Sequence, residues 1–183
     1  FLHASGFNMN YYVGPDFIDQ HPAIRAWWRG YDNLTLRTIM TGAGQKRPIG
    51  RLALFVSRED IVARLNEQVK RIFNSSVFSD LPPEYRKSLN LYVISSTCGG
   101  TGTGQFIDLS YIAQQAIKGV NPGISVHARG LFLLPSAFLQ TSQVAPQNGD
   151  RLRANAYGAL TELDYLMHPS VVPTDVDYGN NFV

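Results

Sequence analysis

Residues 91–104 read Leu-Tyr-Val-Ile-Ser-Ser-Thr-Cys-Gly-Gly-Thr-Gly-Thr-Gly. An apolar, strand-like run empties into four glycines and two threonines, and an amphipathic helix pattern follows at once. Glycines at 99, 100, 102 and 104 let the backbone turn tightly and bring its N–H groups close to a ligand. A helix opening directly after such a loop aims its unpaired N–H groups and the positive end of its dipole at the same place. Together these parts form an anion site, and phosphate is the usual anion. A plain structural turn is the competing reading of any glycine-rich loop, and the strand-loop-helix context weighs against it.

Spacing excludes two familiar phosphate loops. A Walker A loop needs a lysine beside its last glycine, and here Gln105 follows Gly104. Counted from Gly100, the same Gln105 occupies the place of the third glycine of a dinucleotide fingerprint. Gly-Gly-Thr-Gly-Thr-Gly instead closely resembles the signature loop of the tubulin and FtsZ superfamily of GTPases, which wraps the nucleotide phosphates. The chain departs from that family at Cys98, where a small residue, most often glycine, is usual. This departure points to a divergent prokaryotic tubulin-like branch.

A second loop supports the first. Residues 42–45 read Gly-Ala-Gly-Gln, after a strand-like segment at 34–40. The family carries a similar Gly-Ala-Gly loop upstream of the signature, where it senses the terminal phosphate, with a helix and a strand between the two loops. The continuation Lys-Arg-Pro-Ile-Gly-Arg-Leu-Ala is similar to the bacterial tubulin-like proteins in particular. The resemblance therefore implies nucleotide contacts from Gly42, Ala43, Gly44 and Gln45. It also implies them from Cys98, Gly99, Gly100, Thr101, Gly102, Thr103 and Gly104, with the Thr101 and Thr103 hydroxyls donating to phosphate oxygens.

Downstream, residues 124–134 read as a buried strand ended by Pro135. A polar segment then leads into a helix from about Asp150, with Leu152, Ala156, Leu160, Leu163 and Met167 on one stripe. In the family this region carries a ribose-contacting polar residue and an arginine near the nucleotide. Asn148 and Arg151 lie near those positions, Arg153 fits as well as Arg151, and a solvated helix start accounts for each equally well.

The likeness covers residues 34–168, and the rest of the family's site is not identifiable. Missing are its N-terminal glycine loop, a second loop with an acidic residue, the asparagine that grips the base, and the catalytic acidic group. The resemblance thus implies an internal piece of a larger protein, with residues 1–33 an irregular aromatic-rich lead-in, in which residues 21–30 can form a short helix after Pro22, and 169–183 a tail or insertion.

Between the loops, Ser57 and Asp60 approximate a capping box, and Ile61, Leu65, Val69 and Ile72 recur at helical spacing. Leu81-Pro82-Pro83 forms a connector that no helix crosses. A strand-helix-strand-helix series of this kind folds as an α/β, three-layer, mostly parallel sheet flanked by helices. Both glycine loops would lie at the carboxyl ends of its strands, where such sheets bind ligands.

Composition fits one soluble domain: 183 residues, 44% of them hydrophobic, carry 16 basic and 14 acidic groups for a net charge of +2. No basic block points to nucleic acid, and no apolar run is long enough to span a bilayer. The single cysteine, Cys98, rules out an internal disulfide and suits a reducing, cytoplasmic setting. With no histidine near it in sequence to act as a base, it reads as a small packing residue rather than a nucleophile. His3, His21, His127 and His168 have no metal-ligand spacing.

The expectation is a GTP- or GDP-binding, tubulin-like chain in which Mg²⁺ accompanies the nucleotide. The parent protein would be a GTPase that self-associates head to tail into filaments, with hydrolysis assigned to no residue of this chain. Two alternatives stay open. One is a non-catalytic scaffold with a vestigial phosphate loop, and the other is an unrelated phosphate-binding α/β enzyme.

Overall fold

The computed structural model describes residues 9–28, 43–139 and 149–168. The strand expected at 34–40, together with Gly42 and Asn148, lies outside the described residues. Three short helices come first: α1 (Met9–Tyr12), α2 (Pro15–Gln20) and α3 (Pro22–Trp27). Helices α4 (Arg47–Val56), α5 (Arg58–Phe73) and α6 (Ser76–Ser79) precede strand β1 (Ser88–Ser96). Helix α7 (Gly100–Val120), strand β2 (Ser125–Leu133), helix α8 (Ser136–Leu139) and helix α9 (Gly149–Met167) complete the order.

The strands pair in parallel, from Ser88 opposite Ser125 to Ser96 opposite Leu133. Their crossover is α7, the connection a parallel pair requires. On the helix side, Leu89, Leu91 and Val126 pack with Val69, Ile117 and Ile124. A second cluster joins α4, α5 and α7 through Leu54, Ile61 and Ile112. The other face of the sheet is open among the described residues, with Tyr92, Ile94, Leu131 and Leu133 exposed. The described part of the α/β fold is therefore a two-strand parallel sheet with one helical layer on it.

Four details differ from the sequence reading. The lead-in, expected to be irregular apart from a short helix after Pro22, carries two further short helices before α3 where it is described. Pro15 and Pro22 each sit in a first helical turn, where the missing N–H costs nothing. Its Ile18, Ile24 and Trp28 are buried with Ala43, Ile49 and Leu52.

Helix α4 was not foreseen. Pro48 in its first turn and Ile49, Leu52 and Phe55 at helical spacing are its signals. Because α4 exists, Ser57 is at once its C-cap and the N-cap of α5, with near-helical backbone, and makes no capping-box bond. The Ser57 N–H donates to the Ala53 carbonyl, and its own carbonyl accepts from the Ile61 N–H.

Helix α7 starts at Gly100 rather than near Gly104, so most of the glycine signature is helix. Finally, α9 buries only its first half. Leu152, Ala156 and Ala159 are inside, whereas Leu160 and Met167 are exposed.

Candidate functional site

The site begins where β1 ends. Thr97 leaves the strand with its N–H and its hydroxyl both donating to the Leu133 carbonyl, at 3.0 and 3.1 Å. This pins the start of the loop to the end of β2. Cys98 donates its N–H to Ser96 Oγ at 3.0 Å, and its side chain is 1% exposed. The thiol packs beside the Leu133 carbonyl, so only the Cys98 backbone is offered to the loop.

Gly99 is the N-cap of α7 and brings no capping side chain to that helix's first turn. A Cβ at Gly99 would meet nothing within 4 Å. Gly99 thus borders open space at the head of a 21-residue helix, whose first-turn N–H groups and positive dipole end lie beside it.

The remaining glycines of the signature serve a different end. A Cβ at Gly100 would lie 2.5 Å from the Lys46 nitrogen, and one at Gly104 would lie 2.2 Å from the Arg47 carbonyl oxygen. Only glycine lets the start of α4 approach α7 this closely, and that contact outweighs glycine's poor helix propensity. Gln105 reinforces the seam by donating its side-chain N–H to the Gly50 carbonyl at 2.8 Å.

The two threonines part ways. Thr103 is buried, and its hydroxyl donates back to the Gly99 carbonyl, closing the first turn of α7. That proton is already used. Thr101 is exposed and accepts from the Ala43 N–H at 3.2 Å, which leaves its own hydroxyl proton available to a ligand.

Through Thr101 the earlier loop comes into the site. In residues 43–46, Gly44 has φ +55° and Gln45 has φ +62°. Two successive left-handed residues make a tight turn, closed by the Lys46 N–H on the Ala43 carbonyl at 2.9 Å. The Gln45 side-chain oxygen is buried and lacks a hydrogen-bond partner among the described residues. Such a group is normally met by water or a ligand.

Helix α9 closes the third side. Arg151 is exposed and in no ion pair among the described residues. Arg153, also exposed, pairs with Asp150 at 3.2 Å. The residue that sequence reasoning missed is Asn155. Its side-chain nitrogen donates to the Gln45 carbonyl and to the Cys98 carbonyl, both at 2.9 Å. The available signal was a residue of low helix propensity set between Ala154 and the buried Ala156.

Behind the loops a cleft of roughly 710 Å³ runs along α4, α7 and α9, and reaches the site at Gln45 and Asn155. Along it Arg51 holds Asp108 through two hydrogen bonds of 2.8 and 3.2 Å, and its guanidinium lies over the Trp27 ring. Burial pushes the Asp108 carboxyl above the usual carboxylate range, the Arg51 charge pulls it partly back, and Glu162 adds to the rise. Arg47 pairs with Glu162 and reaches the Thr103 carbonyl. These pairs tie α4 to α7 and α9. Among the described residues no cluster of three or more histidines, cysteines or acidic groups is placed to hold a metal.

No helix among the described residues is long and apolar enough to cross a membrane. No curated protein and no solved structure matches the chain. A family model described as tubulin like matches residues 8–183, reaching further at both ends than the likeness carried by the two loops. With the match spanning nearly all of its length, the chain belongs to the tubulin-like family.

Proposed function

We propose that this chain supplies the phosphate-binding part of a guanine-nucleotide site, taking GTP or GDP, in a cytoplasmic protein that hydrolyses GTP and self-associates head to tail. The observation that carries the reading is the meeting of two glycine loops at the uncapped head of α7. Thr101 joins the loops on one side and Asn155 on the other. In this reading the N–H groups around residues 99–101 and the Thr101 hydroxyl bind phosphate oxygens, while residues 42–45 face the terminal phosphate. Gly100 and Gly104 contribute by letting α4 bring the earlier loop close, Asn148 remains the candidate for the ribose, and Arg151 or Arg153 the candidate arginine near the nucleotide. Mg²⁺ would enter with the triphosphate, held chiefly by phosphate oxygens and water. Hydrolysis is assigned to no residue here. Its acidic group would come from elsewhere in the assembled protein.

The buried packing of Cys98 bears on the scaffold alternative, because the side chain that departs from the family is turned into the core beside the Leu133 carbonyl. The test is chromatography of the nucleotide released when the purified full-length protein is denatured. Guanine nucleotide near one per chain is the expected result. Adenine nucleotide would support an unrelated phosphate-binding enzyme, and an empty protein that also refuses added GTP would support the scaffold. GTP-dependent light scattering then tests self-association.

A further inference from the structure

Asn155 lies one helical turn beyond Arg151, half-buried at the edge of the cleft, and it is the side chain that holds the two loops together. Its amide nitrogen carries two N–H donors, and both are used. One goes to a carbonyl 110 residues away and the other to a carbonyl 57 residues away. Each bond fixes a peptide plane. A trans peptide sets its N–H opposite its C=O, and no cis bond occurs among the described residues. Drawing the Cys98 carbonyl toward α9 therefore turns the Gly99 N–H away from α9. Drawing in the Gln45 carbonyl holds Gln45 in a left-handed conformation that a residue with a side chain seldom adopts alone.

We infer that Asn155 is a positioning residue for the nucleotide site: it sets the peptide planes of both loops at once and so couples the loop at residues 43–46 to the phosphate donors at the head of α7. This rests on the guanine-nucleotide reading given above. It gives Asn155 a role through the two loops rather than through a ligand contact, and it makes discrimination between triphosphate and diphosphate depend on that side chain. Without the clamp, Gln45 relaxes toward ordinary backbone angles and the earlier loop withdraws. Triphosphate then loses more than diphosphate, because only the triphosphate reaches that loop.

The experiment measures the affinities of the full-length protein for Mg²⁺-GTP and for GDP by calorimetry, for the parent, Asn155→Ala and Asn155→Asp. Aspartate keeps the shape of asparagine, offers no N–H and sets a carboxylate against two carbonyl oxygens, so it serves where alanine disturbs packing. The expected result is a fall of about tenfold in GTP affinity for Asn155→Ala, as for two weakened hydrogen bonds, with a smaller fall for GDP. Asn155→Asp should lose more of both. A Gln45→Gly change added to Asn155→Ala should return part of the GTP preference, since glycine holds a positive φ without help. A residue that merely stabilised the fold would not respond in that way. An unchanged GTP-to-GDP ratio in both single variants overturns the clamp while leaving nucleotide binding intact. A parent protein that binds neither nucleotide overturns the reading beneath it as well.

Discussion

The two glycine loops of this chain face the same space but are built on opposite principles. The loop at residues 97–99 is held mainly by its own neighbourhood: Thr97 on the end of the paired strand, Ser96 on Cys98, and Thr103 on Gly99, with Asn155 on the Cys98 carbonyl as its bond to α9. The loop at residues 43–46 closes one turn of its own and otherwise depends on distant groups, namely Thr101, Asn155 and the backbone of α7. A loop held mostly from nearby keeps more of its shape when its surroundings change, whereas a borrowed one is only as good as the joint that delivers it. Damage to the α4–α7 joint should therefore fall on the earlier loop first.

The strongest blow to that joint is Arg51→Met. It keeps most of the stem but leaves Asp108, almost fully buried, without its counter-charge. An uncompensated buried carboxylate costs about 3–5 kcal/mol, so a large drop in the urea midpoint at neutral pH is expected. The pH dependence has a definite sign. Burial raises the Asp108 carboxyl in the folded state, so the folded protein takes up its proton more readily than the unfolded chain. Stability from this group is present below the usual carboxylate value and is lost as pH rises through the raised value. Removing Arg51 raises that value further and widens the window. The deficit of Arg51→Met should accordingly shrink between neutral pH and about pH 5. A deficit that stays constant over that range would mean Asp108 is not the group left stranded.

The second blow is Gly104→Ala, which sets a Cβ against the Arg47 carbonyl, where only backbone can give way. Overpacking of this kind costs about 1–3 kcal/mol, against which alanine returns up to about 1 kcal/mol of helix propensity. Thermal unfolding should show a net loss. A gain in melting temperature would mean that α4 and α7 separate without cost and that the glycines serve the ligand alone.

These two variants also mark where sequence reading stops. The strand, the glycine loop and the helix after it are local patterns, so this unit and, with the strand at 124–134, the α/β class could be read from the sequence. The family likeness in the two loops drew on local spacing as well. What could not be read is which glycine does what. Gly99 and Gly100 are adjacent and chemically identical, yet one faces open space and the other meets Lys46, because a helix 50 residues upstream arrives there. Thr101 and Thr103 divide for a similar reason, since one hydroxyl faces the incoming loop and the other turns back on its own helix. Asn155 was invisible because both its partners are backbone carbonyls from other segments, and no spacing rule encodes them. Helix α4 could have been found from Pro48 and its apolar period, had Ser57 not offered a more familiar helix start.

Thr101→Val tests the joint from the ligand side. It keeps the shape and removes the acceptor for the Ala43 N–H, a buried residue, at a cost of about 1 kcal/mol. Thr101→Ser should restore the loss. Equal stability of the valine and serine variants would show that the bond adds nothing and that the loops merely lie side by side.

The smallest effect is expected at Gln45→Gly, and it is the sharpest test of whether the earlier loop is held under strain. A non-glycine residue at φ +62° bears a steric cost of roughly 1–2 kcal/mol that glycine does not. Glycine in turn frees the unfolded chain, which takes back about 0.4–1 kcal/mol. The difference should leave the variant slightly more stable, by about 1 kcal/mol or less, a rise of a few degrees at most in thermal unfolding. The buried side-chain oxygen of Gln45 has no partner among the described residues, so its removal should not reverse that sign. A clear loss of stability would place Gln45's contribution in its side chain, and the loop would then be held from within, like the one it was contrasted with. A small gain would mean that the surroundings impose the left-handed turn against the preference of the residue that occupies it.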